Sequence, residues 1–250
     1  MFNPSTYLDR IGYSGPVDVS PETLRGLHRA HLYSVPFENL DIGLHRKIEC
    51  SEEAAMRKIV EGKRGGFCYE MNGAFAGLLR ALGFPVTLLS ARVGREDGTL
   101  GPEFDHLALR VDLEQPWLAD VGFGDSFIDP LLLEPDIEQQ QGRRRFRLVV
   151  QDNIWHVQRL EADQPWKLEY AFTLTPHKLE DFAPMCHYHQ TSSESSFTRK
   201  RVCTLAIPHG RVTLADKKLI VTRAGQKTER SIPTDEEWAS ELKKNFNIIL

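Results

Sequence analysis

An α+β fold, helices first and a β meander or barrel after them, is predicted by three features of this 250-residue sequence. Up to Gly83-Phe84-Pro85 the apolar residues recur at helical spacing between recognisable caps. Beyond Pro85 the period changes to the alternation of strands. Near the end, Thr234-Asp235-Glu236-Glu237 has the spacing of a capping box and opens a last helix with Trp238, Leu242 and Phe246 on its apolar face. The chain divides accordingly into helices over 1–85, strands over 86–190 and a small mixed segment over 191–250.

Four helices are expected in the first third. Asn3-Pro4 starts one, with Pro at the first helical position, and Gly12 ends it. Ser20-Pro21 starts the second, which carries Leu24, Leu27 and His28 to about Leu32 before Pro36. Ser51 caps the third, which holds Ala54, Ala55, Met56, Ile59 and Val60 and closes at Gly62. The fourth begins at Cys68 and runs through Phe75, Leu78, Leu79 and Leu82.

Strands are then expected over Val86–Val93, His106–Leu113 and Trp117–Val121, with a polar loop from Gly94 to Glu103. Further strands follow at 145–150, 154–157 and 166–172. A brief helical stretch lies between Pro176 and His189, and strands return at 201–207, 211–214 and 219–222. The basic run Arg143-Arg144-Arg145 with Arg147, next to Gln139-Gln140-Gln141-Gly142, is expected to form a solvated turn.

Composition limits the function classes. Hydrophobic content of 41% and charged content of 26% are those of an ordinary globular chain. A net charge of −4 speaks against a surface dedicated to nucleic acid or anionic membrane. No apolar run reaches the length of a membrane span and no signal-peptide pattern opens the chain. The four cysteines have no framework spacing, so a reducing, cytoplasmic setting is expected.

The chemistry points to Cys68. It follows Gly65-Gly66-Phe67 and stands at the first turn of a helix, where unpaired N–H groups and the helix dipole favour an anion. The two glycines are read as freeing a sharp turn, and the position predicts a thiol whose pKa is lowered. A thiol nucleophile needs a histidine base, and that base needs an acid or amide to hold its tautomer. His106 opens a strand after a polar loop. Asp120 sits in the apolar run Trp117-Leu118-Ala119-Asp120-Val121, where an acid must be paired. A hairpin of the two strands would bring Asp120 beside His106.

Four ordered blocks resemble the arylamine N-acetyltransferase family: Pro36-Phe37-Glu38-Asn39-Leu40, Arg64-Gly65-Gly66-Phe67-Cys68-Tyr69-Glu70-Met71-Asn72, Asp105-His106-Leu107 and Asp120-Val121-Gly122-Phe123-Gly124. The resemblance implies a helical bundle, a central β-barrel and a small C-terminal α/β lid around a cysteine-protease-like catalytic core. It matches Cys68 to the acyl acceptor, His106 to its base and Asp120 to the residue that orients the base. Glu38 and Arg64 match a structural salt bridge near the site, Phe37, Val93 and Phe123 the acceptor pocket, and Gly124 a place of close approach to the donor. It further implies acetyl-CoA as co-substrate, an aromatic amine or hydrazine as acceptor, and ping-pong transfer through a thioester. A macrolactam-forming amide synthase or an amide hydrolase on the same fold is the alternative. Cys186-His187-Tyr188-His189 is read as lid rather than metal site, with no metal expected, and Cys50 and Cys203 as packing residues.

Overall fold

The computed structural model describes residues 3–162 and 164–250. Its helices are α1 (Pro4–Ile11), α2 (Pro21–Ser34), α3 (Leu40–Gly43), α4 (Glu52–Met56), α5 (Cys68–Ala81), α6 (Ala183–Thr191), α7 (Ser196–Arg199) and α8 (Asp235–Phe246). The expected caps are in place. Asn3, Ser20, Ser51 and Thr234 each accept a backbone N–H of the first turn of their helices, and Gly12 ends α1 in the left-handed region. α4 runs on as a π turn, Arg57–Glu61, up to Gly62. α5 is buried all round from Cys68 to Leu79, which makes it the central helix rather than an amphipathic one. Gly73, Ala74, Ala76 and Gly77 let its neighbours close in.

The strands are β1 (Phe37–Glu38), β2 (Val86–Val93), β3 (His106–Asp112), β4 (Pro116–Ala119), β5 (Leu131–Leu132), β6 (Gln139–Gln141), β7 (Arg144–Gln151), β8 (Ile154–Glu161), β9 (Lys167–His177), β10 (Val202–Ile207), β11 (Gly210–Ala215), β12 (Lys218–Arg223) and β13 (Gln226–Ser231). Eight of them make one antiparallel sheet in the order β5-β4-β3-β2-β9-β8-β7-β6. The other five make a second sheet, β1-β10-β11-β12-β13, so the short strand from the helical third completes the C-terminal sheet. Along β3 the faces alternate: Leu107, Leu109 and Val111 pack toward the helices, while Ala108 packs into the barrel with Leu89, Ala91, Leu118 and Tyr170. A third core holds α8 against the C-terminal sheet through Trp238, Leu242, Phe246, Val212 and Leu214.

The basic run departs from the solvated turn expected of it, since it and the glutamines beside it are mostly strand. Gln139–Gln141 is strand β6, Arg144 opens β7, and the turn itself is only Gly142-Arg143. The side-chain amide of Gln139 imitates a strand. Its Oε1 accepts the Leu132 N–H at 2.8 Å and its Nε2 donates to the Leu132 carbonyl at 3.0 Å. Gln141 treats Ile128 and Asp129 in the same way, accepting both N–H groups and donating to the Asp129 carbonyl. The two edges of the eight-stranded sheet are thus joined by amides, and the barrel is nearly closed.

We expect Gln139→Leu to lower stability by about 1–3 kcal/mol, because it leaves one donor and one acceptor of Leu132 without partners. Urea midpoints of the two proteins measure this; equal midpoints would show that the edges hold without the amide.

Candidate active site

The backbone before Cys68 is shaped by crowding. Gly65 and Gly66 do not use the left-handed backbone that a sharp glycine turn would employ. They are glycines because β1 runs beside them. A Cβ on Gly65 would lie 1.8 Å from the Pro36 carbonyl oxygen, and one on Gly66 would lie 2.7 Å from Glu70 Cβ. The Glu38 N–H donates to the Gly66 carbonyl at 2.9 Å and fixes this approach. Glu70 reaches back to accept the Phe67 N–H at 3.1 Å, satisfying one orphan donor of the helix start.

Cys68 is then the first residue of α5, and only 3% exposed. The Leu107 N–H donates to its sulfur. Burial pushes the thiol well above its ordinary pKa, and the charges of Asp105 and Asp120 push in the same direction. The lowered pKa expected from the helix terminus alone is therefore not found, because desolvation outweighs that terminus. Gly122 walls the other side: a Cβ there would sit 2.8 Å from Cys68 Cα and 2.7 Å from Asn72 Nδ2.

His106 and Asp120 meet as the hairpin register requires. β3 and β4 pair Leu109 with Ala119, so the chain leaving β4 passes back along the start of β3. His106 Nε2 lies 2.7 Å from Asp120 Oδ2, with both residues 2% exposed. Asp120 Oδ1 accepts Asn72 Nδ2 at 2.8 Å and the Gly122 N–H at 2.9 Å. Burial works against its charge, but His106, Asn72 and Gly122 together hold its carboxyl below the usual carboxylate range.

Two supports of this acid escaped the sequence reading. Asn72 also donates to the Leu107 carbonyl and accepts the Val121 N–H, so it ties α5 to both strands. Its signal was available: a polar residue one turn beyond Cys68 in an otherwise apolar helix. His28 accepts the Asp120 N–H at Nε2 and bonds the Ile128 carbonyl through Nδ1. That arrangement fits a neutral ring, and burial keeps its pKa low.

Below the helix start lies a buried charge cluster. Arg64 contacts Glu38 at 2.7 Å and Asp41 at 3.2 Å. Lys58 contacts Asp41 and Glu70 at 2.8 Å each and Glu38 at 3.8 Å. The Glu38–Arg64 pair read from sequence is thus part of a set in which three carboxylates share two well-buried cations. Burial of Glu70, with Glu38 nearby, outweighs the opposing Lys58 and Phe67 N–H and raises its carboxyl to about 7.

Of the predicted pocket residues, Phe123 is the one placed against His106. Phe123 and Tyr170 stand edgewise or tilted against its ring at 5.2 and 5.1 Å. Val93 is the strand partner of Tyr170. Phe37 lies beside Gly124, whose Cβ position is 3.6 Å from the Phe37 ring and whose φ is +91°. An aromatic residue from the C-terminal third, Phe197 of α7, packs on Phe37 at 6.2 Å and Phe67 at 5.8 Å; nothing local in its sequence marks it. Beyond Gly124, Asp125 is gripped by Arg144 of β7 and Arg211 of β11 at 2.8 and 2.9 Å. Cys186 and His189 lie on α6 with their side chains buried. Among the described residues no three His, Cys, Asp or Glu side chains are placed to hold a metal ion, and no helix is long and apolar enough to cross a membrane.

Residues 20–250 match the family model described as N-acetyltransferase. The chain is 32% identical over 246 residues to an arylamine N-acetyltransferase of Escherichia coli (strain K12), covering 97% of this chain and 87% of that one. It is 30% identical over 247 residues to a proansamycin X synthase of Amycolatopsis mediterranei (strain S699), covering 95% and 94%. A Mycobacterium marinum arylamine N-acetyltransferase solved in complex with CoA superposes with a TM-score of 0.91 at 29% identity, covering 98% of this chain and 93% of that one.

Glu70 gives a pH signature. Its folded pKa of about 7 lies above its ordinary value of 4.5, so between those values the folded protein keeps a proton that the unfolded chain has lost. The stability from this group is complete below pH 4.5 and is lost as pH rises through 7. We expect the stability of Glu70→Gln relative to wild type to rise by about 2–3 kcal/mol between pH 4.5 and 8, at 1.36 kcal/mol per pKa unit. Urea unfolding at pH 5, 6.5 and 8 measures the difference. A constant difference would mean that Lys58 keeps Glu70 ionised throughout.

Proposed function

The chain belongs to the arylamine N-acetyltransferase family, and from that premise we propose that it moves an acetyl group from acetyl-CoA to an aromatic amine or hydrazine through a thioester on Cys68. The observation that carries this reading is the 2.7 Å pair of His106 Nε2 and Asp120 Oδ2, set one residue from the backbone N–H that bonds the Cys68 sulfur. The CoA bound by the Mycobacterium marinum relative supports the choice of donor.

In the proposed reaction His106 compensates for the raised pKa of the buried thiol. With Nε2 committed to Asp120, Nδ1 takes the thiol proton as the sulfur attacks the acetyl carbonyl of the donor. The imidazolium formed is stabilised by Asp120, which Asn72 and the Gly122 N–H keep ionised. The carbonyl collapses to acetyl-Cys68, and the proton on His106 leaves with the CoA thiol. The amine then attacks the thioester, His106 receives its proton, and the Cys68 thiolate departs. Phe37, Val93 and Phe123 supply apolar walls suited to a flat acceptor, and the near-complete burial of Cys68 protects the thioester from water.

Mass spectrometry after incubation with acetyl-CoA tests the intermediate. We expect one acetyl group on Cys68, discharged faster when an aryl amine is added and absent in Cys68→Ser. A wild-type protein that stays unmodified overturns the donor assignment.

Asp120→Asn separates a catalytic acid from a structural one. Asn72 and Gly122 both donate to Oδ1, so the new amide keeps its oxygen there and turns its NH2 toward His106. Nε2 must then accept, the ring proton moves to Nδ1, and Nδ1 can no longer take the proton of Cys68. We expect acyl-enzyme formation to fall by roughly 10²–10⁴, the lower end reflecting the intrinsic acidity of a thiol. A folded variant acetylated at the wild-type rate would remove Asp120 from the mechanism.

A further inference from the structure

A second buried set of ionisable groups borders the same strand and has no part in the reaction above. Asp105, immediately before His106, lies 3.1 Å through Oδ1 from His189 Nε2; their side chains are 16% and 8% exposed. His189 Nδ1 is 3.1 Å from Ser195 Oγ, which accepts the Phe197 N–H as the cap of α7. Ser195, His189 and Asp105 resemble a hydrolytic triad in composition. The hydroxyl, however, is 3% exposed and engaged at a helix cap, so it has no access to a substrate.

What this set offers is charge. Among the described residues His189 is the one basic side chain within ion-pair distance of Asp105. Its Nε2 lies near the carboxylate but off the line of a hydrogen bond, so any attraction between the two does not run through a directed bond. The other titratable groups facing the ring are the phenols Tyr69 of α5 and Tyr188 of α6, at 6.2 and 5.5 Å between centroids, and neither competes for that role. Asp105 matters to the site because its negative charge opposes a thiolate on Cys68.

We propose that His189 is a positioning residue of the acyl-transfer site, its imidazolium balancing Asp105 so that this carboxylate does not oppose the Cys68 thiolate. The same contact ties the entry of β3, and hence His106, to α6 and through Ser195 to α7. The inference rests on the reading of Cys68 as the nucleophile.

The test is the pH profile of Cys68 alkylation by iodoacetamide, followed on the Cys68 peptide, which requires neither acetyl-CoA nor an amine. His189→Gln keeps a hydrogen-bonding amide and loses the charge. We expect its Cys68 to react about three- to tenfold more slowly at pH 6.5, the effect of one uncompensated charge in a partly buried site. Adding Asp105→Asn to that variant should restore the rate to within about twofold of wild type, since both members of the pair are then neutral. A His189→Gln profile that superposes on wild type overturns the proposal, and so does a slow rate that Asp105→Asn fails to restore. Should circular dichroism show His189→Gln unfolded, Asp105→Asn alone decides: alkylation at or above the wild-type rate below pH 7 supports the proposal, and a slower rate overturns it. A normal profile shift in a protein that acetyl-CoA does not acetylate would overturn the donor and leave the charge balance standing.

Discussion

A carboxylate buried to 2% exposure cannot be left without partners, and Asp120 draws its partners from nearly every part of the molecule. The His106 ring comes from β3, the Asn72 amide from α5, and the Gly122 N–H from the turn that follows Asp120 itself. Its backbone N–H is taken by His28 of α2, whose other ring nitrogen reaches the Ile128 carbonyl. Satisfying one acid therefore fixes the relative placement of two helices, a strand and a loop. Cys68 inherits its place from the same set, since Asn72 stands one turn along its helix and Gly122 presses against its Cα.

The electrostatic pattern around this acid is uneven by design of burial. Thiol and acid lie in the same dry region, and burial pushes both toward their neutral forms, yet only the acid resists. The thiol is pushed toward its neutral form because it has little besides one backbone N–H to stabilise an anion, whereas Asp120 stays charged because three donors converge on it. The resting site holds a protonated thiol and a charged acid, with the His106 ring bonded to that acid. The cluster of Glu38, Asp41, Glu70, Lys58 and Arg64 sits under the helix start and does different work. It anchors β1 and the π turn to the first turn of α5, with Arg64 and Lys58 each bridging two or more acids.

The fold class, the helix starts and most long strands were legible because they depend on local signals: caps, proline and the change of period at Pro85. The meeting of His106 and Asp120 was legible too, since an acid in an apolar strand demands a partner and a hairpin supplies one. What the sequence hid is set by contacts far apart in the chain. Strand β1 has two residues and exists only through its pairing with β10. β13 is exposed throughout and carries no apolar alternation. Gln139 and Gln141 look like solvated polar residues until the barrel brings Leu132, Ile128 and Asp129 beside their amides. Gly65 and Gly66 were read as turn residues, but the cause is crowding, by the Pro36 backbone at Gly65 and by the Glu70 side chain at Gly66.

The C-terminal sheet is joined to the site at two points, and both lie next to residues that touch His106 or precede Cys68. Through β1, the strand β10 holds Phe37 and Glu38, so that one short pairing places both the ring beside Gly124 and the main acceptor of Arg64. Through Arg211 of β11, the same sheet grips Asp125, while Arg144 of the barrel grips it from the other side. The turn between these anchors, Gly122-Phe123-Gly124, carries the donor to Asp120 and the ring against His106. Burial works against the charge of Asp125, but its arginine partners together outweigh it and hold its carboxyl at about 2, so the clamp stays charged across the working range of any cell. A turn anchored at Asp125 by ion pairs from two separate sheets keeps its backbone N–H aimed at Asp120 without being part of either sheet.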